Sequence, residues 1–179
     1  MRVSGSSTTA IQQLVRAMPI AIMNTFNKHP RMRALQLRDE PETAEIQPHI
    51  TLDQVTERSL LRIHHIPTTT ENYTTNDSHI DSIDDWQDFV RRECDIHFDR
   101  YSQLPFYLVV WEADDIAQLM LFSDHFMSDG YSGMVILDNV LTEAAKVVRQ
   151  GSEVRHEPVD ELPLLPSMYH AWLDSMPFT

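Results

Sequence analysis

Residues 105–123 read PFYLVVWEADDIAQLMLFS, and this stretch decides the fold. Two apolar arms, residues 105–112 and 116–123, flank the acidic turn Ala113-Asp114-Asp115. Apolar runs of this length around a short turn predict a β-hairpin whose second arm is mostly buried. Downstream, residues 132–149 place Met134, Leu137, Val140, Leu141, Ala144 and Val148 on one helical stripe, and Gly151 stops the helix.

Upstream, Ile11, Leu14, Val15, Met18, Ile22 and Phe26 follow a 3.6-residue period, which predicts a helix over residues 9–28 with Thr8 or Thr9 as cap. Pro19 is expected to kink it or set its true start, and His29-Pro30 to end it. Residues 31–37 and 44–50 read as an antiparallel pair across a charged turn, and 59–66 as a further strand. Residues 67–81 form a polar Thr- and Asn-rich loop. A helix follows over 83–97, capped by Ser82, with Trp86 and Phe89 as core anchors. Residues 1–8 read as a disordered N-terminus, 9–160 as one lobe, and 161–179 as a proline-punctuated linker. The fold class expected is α/β, a two-layer sandwich with a mixed, largely antiparallel sheet.

Composition narrows the function classes. The 179 residues are 42% hydrophobic, enough for a real core. With 14 Lys+Arg against 27 Asp+Glu the net charge is −13, which argues against a basic surface for nucleic acid or anionic membrane. A single cysteine, Cys94, excludes an internal disulfide framework and Cys-based zinc fingers. There is no apolar run long enough for a membrane span and no secretory leader, so a cytoplasmic location is expected.

The segment Ser123-Asp124-His125-Phe126-Met127-Ser128-Asp129-Gly130 connects the hairpin to the last helix. It puts an imidazole at the end of a rigid sheet, where a cleft can form and where histidine suits general-base chemistry. Asp129 can pair with an arginine or orient the ring, and Gly130 can supply an unusual backbone angle. The bland alternative is a core-edge histidine with Asp129 capping the next helix.

Three segments together resemble the N-terminal lobe of the chloramphenicol-acetyltransferase-like superfamily, which includes peptide-synthetase condensation domains and alcohol acetyltransferases. Residues 27–34, NKHPRMRA, resemble its "RHPxLR" segment; DIHFD at 95–99 with LPFYL at 104–108 resembles "pFDL…PLxR"; SDHFMSDGYS at 123–132 resembles "HHxxxDGxS". They occur in family order, and the resemblance covers roughly residues 10–175. It implies that His125 is the catalytic base, deprotonating a hydroxyl or amine acceptor that attacks a thioester of coenzyme A or carrier-protein phosphopantetheine. No covalent acyl-enzyme, tightly bound cofactor or metal is implied. Asp129 maps onto a structural carboxylate held by an arginine, for which Arg33 and Arg31 are the local candidates, and Gly130 onto the motif glycine. Asp124 departs from the first His of the motif. Family enzymes have two lobes, so a second lobe is an expected partner, reached through residues 161–179. A catalytically silent remnant or a binding module that keeps the fold is the alternative.

Other candidates have plainer readings. His64 and His65 are neighbours on a strand, so they face opposite ways and cannot easily share a metal. His79 and His97 lack metal-ligand spacing. Cys94 beside Arg91 and Arg92 reads as a buried or inert thiol. The acidic start at Asp81, Asp84, Asp85 and Asp88 reads as solvated surface, and no Gly-rich phosphate loop is present.

Overall fold

The computed structural model describes residues 1–40, 42–66, 85–125, 128–151 and 159–164. They form a mixed α/β unit. In chain order the elements are β1 (Arg2–Ser4), α1 (Thr8–Lys28), a 3₁₀ turn (Pro30–Arg33), β2 (Ala34–Gln36), β3 (Ala44–Ile46), α2 (Leu52–Glu57) and β4 (Leu61–His65). Then follow α3 (Trp86–Cys94), β5 (Phe106–Ala113), β6 (Ile116–Ser123) and α4 (Gly130–Gln150). No helix among the described residues is long and apolar enough to cross a membrane.

The hairpin lies where the sequence put it. Strands β5 and β6 pair antiparallel from Phe106↔Ser123 to Ala113↔Ile116. They form the centre of a four-stranded sheet ordered β1-β6-β5-β4, in which only the β4–β5 pair is parallel. Alternation gives the sheet two faces. Leu108, Val110, Ala117 and Leu119 join the core beneath α1 and α4, and because α3 covers the other face the sheet is not the two-layer sandwich expected but has helices on both sides. Val109, Trp111, Met120 and Phe122 point the other way, where Phe89 of α3 packs edge-on to Trp111 at 5.0 Å. Phe89 is therefore the core anchor expected of it, with Trp86 packed partly buried beside it.

Helix α1 is buried on more than one stripe because the sheet and α4 enclose it. Its cap is Ser7, whose Oγ accepts from the Ala10 N–H at 3.3 Å. The helix is continuous from Thr8 to Lys28 through Pro19, so Pro19 does not set its start. At its end, Asn27 exchanges two bonds with the Ile50 backbone, donating to its O at 2.9 Å and accepting from its N–H at 2.8 Å.

Several expectations need correction. Residues 1–8 are not a disordered N-terminus: Arg2–Ser4 forms an edge strand on β6, because backbone groups on that edge can be paired whatever the side chains are. The 31–37 strand shortens to Ala34–Gln36, since Pro30, with φ already set, starts a 3₁₀ turn closed by Met32 N–H to His29 O at 2.9 Å. Helix α2 was not foreseen. Its signal is the Thr51-x-x-Gln54 spacing, and the Gln54 side chain accepts from the Thr51 N–H at 3.0 Å. Helix α3 ends at Cys94 rather than 97. Its expected cap Ser82 and the 67–81 loop lie outside the described residues, as does all of the tail beyond 164. The buried stripe of α4 is Ile136, Val140, Glu143, Ala144 and Val147, while Met134 is 74% exposed. Leu137, Val140, Leu141 and Ala144 of the expected stripe do face the core, and the helix packs chiefly on α1, to which Lys28 Nζ ties it through Asn139 Oδ1 at 2.9 Å.

Candidate functional site

Strand β6 delivers Ser123 to the end of the sheet, and the chain turns there into α4. The turn is fixed at both ends. Asp124 N–H donates to Pro105 O at 2.9 Å, and Ser128 N–H donates back to Asp124 O at 3.2 Å. Ser128 is buried, and its Oγ donates to Ser123 Oγ at 2.7 Å.

His125 sits on this turn and lines a cleft of about 950 Å³. Its Nδ1 lies 3.0 Å from the carbonyl oxygen of Ser128. A carbonyl only accepts, so in the neutral ring Nδ1 carries the proton and Nε2 keeps its lone pair. Nε2 meets no hydrogen-bond partner among the described residues. In that tautomer Nε2 is the nitrogen left to accept a proton, as general-base chemistry requires. The cleft wall is largely apolar, with Trp86 and Val90 from α3, Met120 and Phe122 from β6, and Leu137 from α4.

Asp129 borders the same cleft but does not meet an arginine among the described residues. Its Oδ1 accepts from the Ser132 N–H at 2.7 Å and caps α4. That backbone bond holds the carboxyl below its ordinary pKa of 3.8. Nor does Arg33 reach Asp129. It is 2% exposed, donates to Phe26 O and Gln47 O, and forms an ion pair with Glu161 at 3.0 Å. Its place on the 3₁₀ turn, rather than on a strand, directs it toward residues 159–164. Gly130 opens α4 without the positive φ expected of it, and an added Cβ would meet nothing within 4 Å.

The arginine that does serve this turn is Arg100, which sequence reasoning missed. Its Nε and Nη2 grip the two Asp124 carboxylate oxygens at 2.5 and 3.1 Å. Cys94 of α3 is exposed, not buried, and lines the cleft. His64 and His65 diverge as expected: His64 packs against Phe89, where burial lowers its pKa, while exposed His65 pairs with Glu112 at 2.9 Å. No three His, Cys, Asp or Glu side chains among the described residues gather as a metal site would require.

No family model matches the chain, and no curated protein matches it. Among solved structures it is similar to SgcC5 from Streptomyces globisporus, crystallised with (R)-(-)-1-(2-naphthyl)-1,2-ethanediol and sucrose. The TM-score is 0.53 at 18% sequence identity, over 88% of this chain and 31% of that one. The likeness is one of fold, and the chain spans about a third of the length of SgcC5.

Proposed function

We propose that this chain is the base-bearing lobe of an acyltransferase of the chloramphenicol-acetyltransferase-like type. The observation that carries the reading is the His125 Nδ1 bond to the Ser128 carbonyl in the wall of the cleft. In the proposed reaction Nε2 of His125 takes the proton of an acceptor hydroxyl or amine. The acceptor oxygen or nitrogen bonds to the thioester carbonyl carbon, and the carbon–sulfur bond breaks. The imidazolium returns the proton to the departing thiolate, so the ring ends as it began. The donor is a coenzyme A or phosphopantetheine thioester. A second lobe closes the open side of the cleft and completes the orientation of the two substrates.

The apolar wall suits an acceptor or acyl group with an aromatic or aliphatic body. SgcC5 holds an aromatic 1,2-diol, a hydroxyl compound of that kind. The test is thiol release from acyl thioesters with a panel of aryl diols and amines, using the full gene product. His125→Ala is expected to lower the rate by about 10²–10⁴-fold with folding intact. Turnover that survives His125→Ala overturns the mechanism. Binding of acceptors without any transfer assigns the chain to the alternative, a binding module that keeps the fold.

A further inference from the structure

We propose that Arg100 is a positioning residue for the His125 imidazole, acting through the Asp124 carboxylate. The inference rests on His125 serving as the base.

The Asp124 side chain is 6% exposed, and a carboxylate that buried needs a counter-charge. Arg100 supplies it with both prongs of its guanidinium. A two-bond fork fixes direction as well as distance, so it sets the Asp124 side-chain torsions. Asp124 is also held through its backbone, N–H to Pro105 O and O from Ser128 N–H. Three restraints thus converge on the residue immediately before His125.

Arg100 is itself anchored. Its carbonyl accepts from the Gln36 N–H at 3.0 Å, which ties it to β2. The turn presenting it is closed by Asp99, whose carboxylate accepts from Tyr101 N–H at 3.1 Å and Ser102 Oγ at 2.6 Å. A continuous line of bonds therefore runs from β2 through Arg100 and Asp124 to the turn that carries the imidazole. At the other end of that turn, Ser128 offers the carbonyl that selects the Nδ1–H ring. If Asp124 shifts, the 3.0 Å contact is the bond that loosens, and an imidazole without a fixed partner populates both tautomers.

The experiment is long-range ¹⁵N–¹H correlation NMR of the His125 ring in the full chain, which reports which nitrogen is protonated. Arg100→Met keeps much of the side chain and removes the charge; Asp124→Asn is the milder partner variant. The wild type is expected to give the Nδ1–H pattern, and both variants a mixture of tautomers. Arg100→Lys restores the charge without the fork, so it recovers thermal stability but not the single tautomer. In the acyl-transfer assay, Arg100→Met lowers kcat by about 10–100-fold with little change in KM. A purely structural role would lower stability in all three variants and leave the ring pattern untouched; an unchanged Nδ1–H pattern in Arg100→Met and Asp124→Asn overturns the proposal. If Arg100→Met does not fold, Asp124→Asn decides alone. A tautomer shift in a protein that transfers no acyl group supports the positioning role and rejects the proposed reaction.

Discussion

The buried Arg33 guanidinium holds the Glu161 carboxylate at 3.0 Å and thereby fastens residues 159–164 to the 3₁₀ turn that follows α1. The same segment is held by Leu162 N–H donating to Lys28 O at 2.8 Å, and His49 Nε2 lies 2.8 Å from the second Glu161 oxygen. Arg33 thus braces three pieces of chain from inside the fold and leaves the His125 turn to Arg100.

Arg33→Ala is expected to destabilise the protein by about 2–4 kcal/mol, because the carbonyls of Phe26 and Gln47 lose their donors together with the packing of the side chain. Arg33→Met, which keeps the bulk, separates the two contributions. Urea unfolding monitored at the tryptophans measures both. A loss below 0.5 kcal/mol in Arg33→Ala (about the scale of a surface change) is incompatible with the brace.

Glu161 gives a pH dependence of known sign. Its bonds from His49 and then Arg33 hold the carboxyl below the ordinary value of 4.5. A depressed carboxyl contributes stability that is present above 4.5 and is lost as pH falls through the folded value. Wild type should therefore lose stability relative to Glu161→Gln as pH falls below 4.5 and through the depressed folded value. Parallel stability curves for the two proteins would refute the assignment.

At the start of α4 the cap and the glycines separate cleanly. Asp129→Ala should lower the unfolding midpoint by about 2–4 °C, and Asp129→Asn or Asp129→Ser should recover most of it. Gly133→Ala lies within the helix, where an added Cβ meets nothing within 4 Å, and should stabilise by about 0.5–1 kcal/mol. Gly151→Ala should do the reverse, because its φ of +68° is strained for any side chain. Differential scanning calorimetry of the variants checks all of these, and a destabilised Gly133→Ala would contradict the open space at that site.

Phe89 is the contact that docks α3 on the second face of the sheet, 5.0 Å from the Trp111 ring and 6.2 Å from Phe122. Phe89→Ala should cost about 3–5 kcal/mol. Since Trp86 and Val90 of the same helix wall the cleft, the variant should also weaken acceptor binding before it unfolds. Fluorescence titration with an aryl diol reads this, and unaltered affinity in a folded Phe89→Ala protein would detach α3 from the site.

The elements that were legible are those whose signal is local. The β5–β6 hairpin announces itself through consecutive apolar residues around Asp114-Asp115, and α1 through its 3.6-residue period. The parts that were not legible depend on partners distant in the chain. Arg100 and Asp124 are 24 residues apart with no periodic relation, so neither marks the other in sequence. In α4 the middle of the expected stripe is buried, and only its ends, Met134 and Val148, are exposed. An apolar stripe records which residues can be buried, and the presence of α1 decides which of them are.

The pairing of β1 with β6 has a consequence for synthesis. Arg2 and Gln118, neighbours across that pair, are separated by 116 positions in the chain. On the ribosome the first strand and the apolar flanks of α1 are exported long before β6 exists to receive them. Closing that span costs more chain entropy than closing the local β5–β6 hairpin, so β1 is expected to dock after it. Nascent chains arrested before Ile116 would leave the faces of α1 that pack on β6 and α4 uncovered. The finished fold hides that dependence completely.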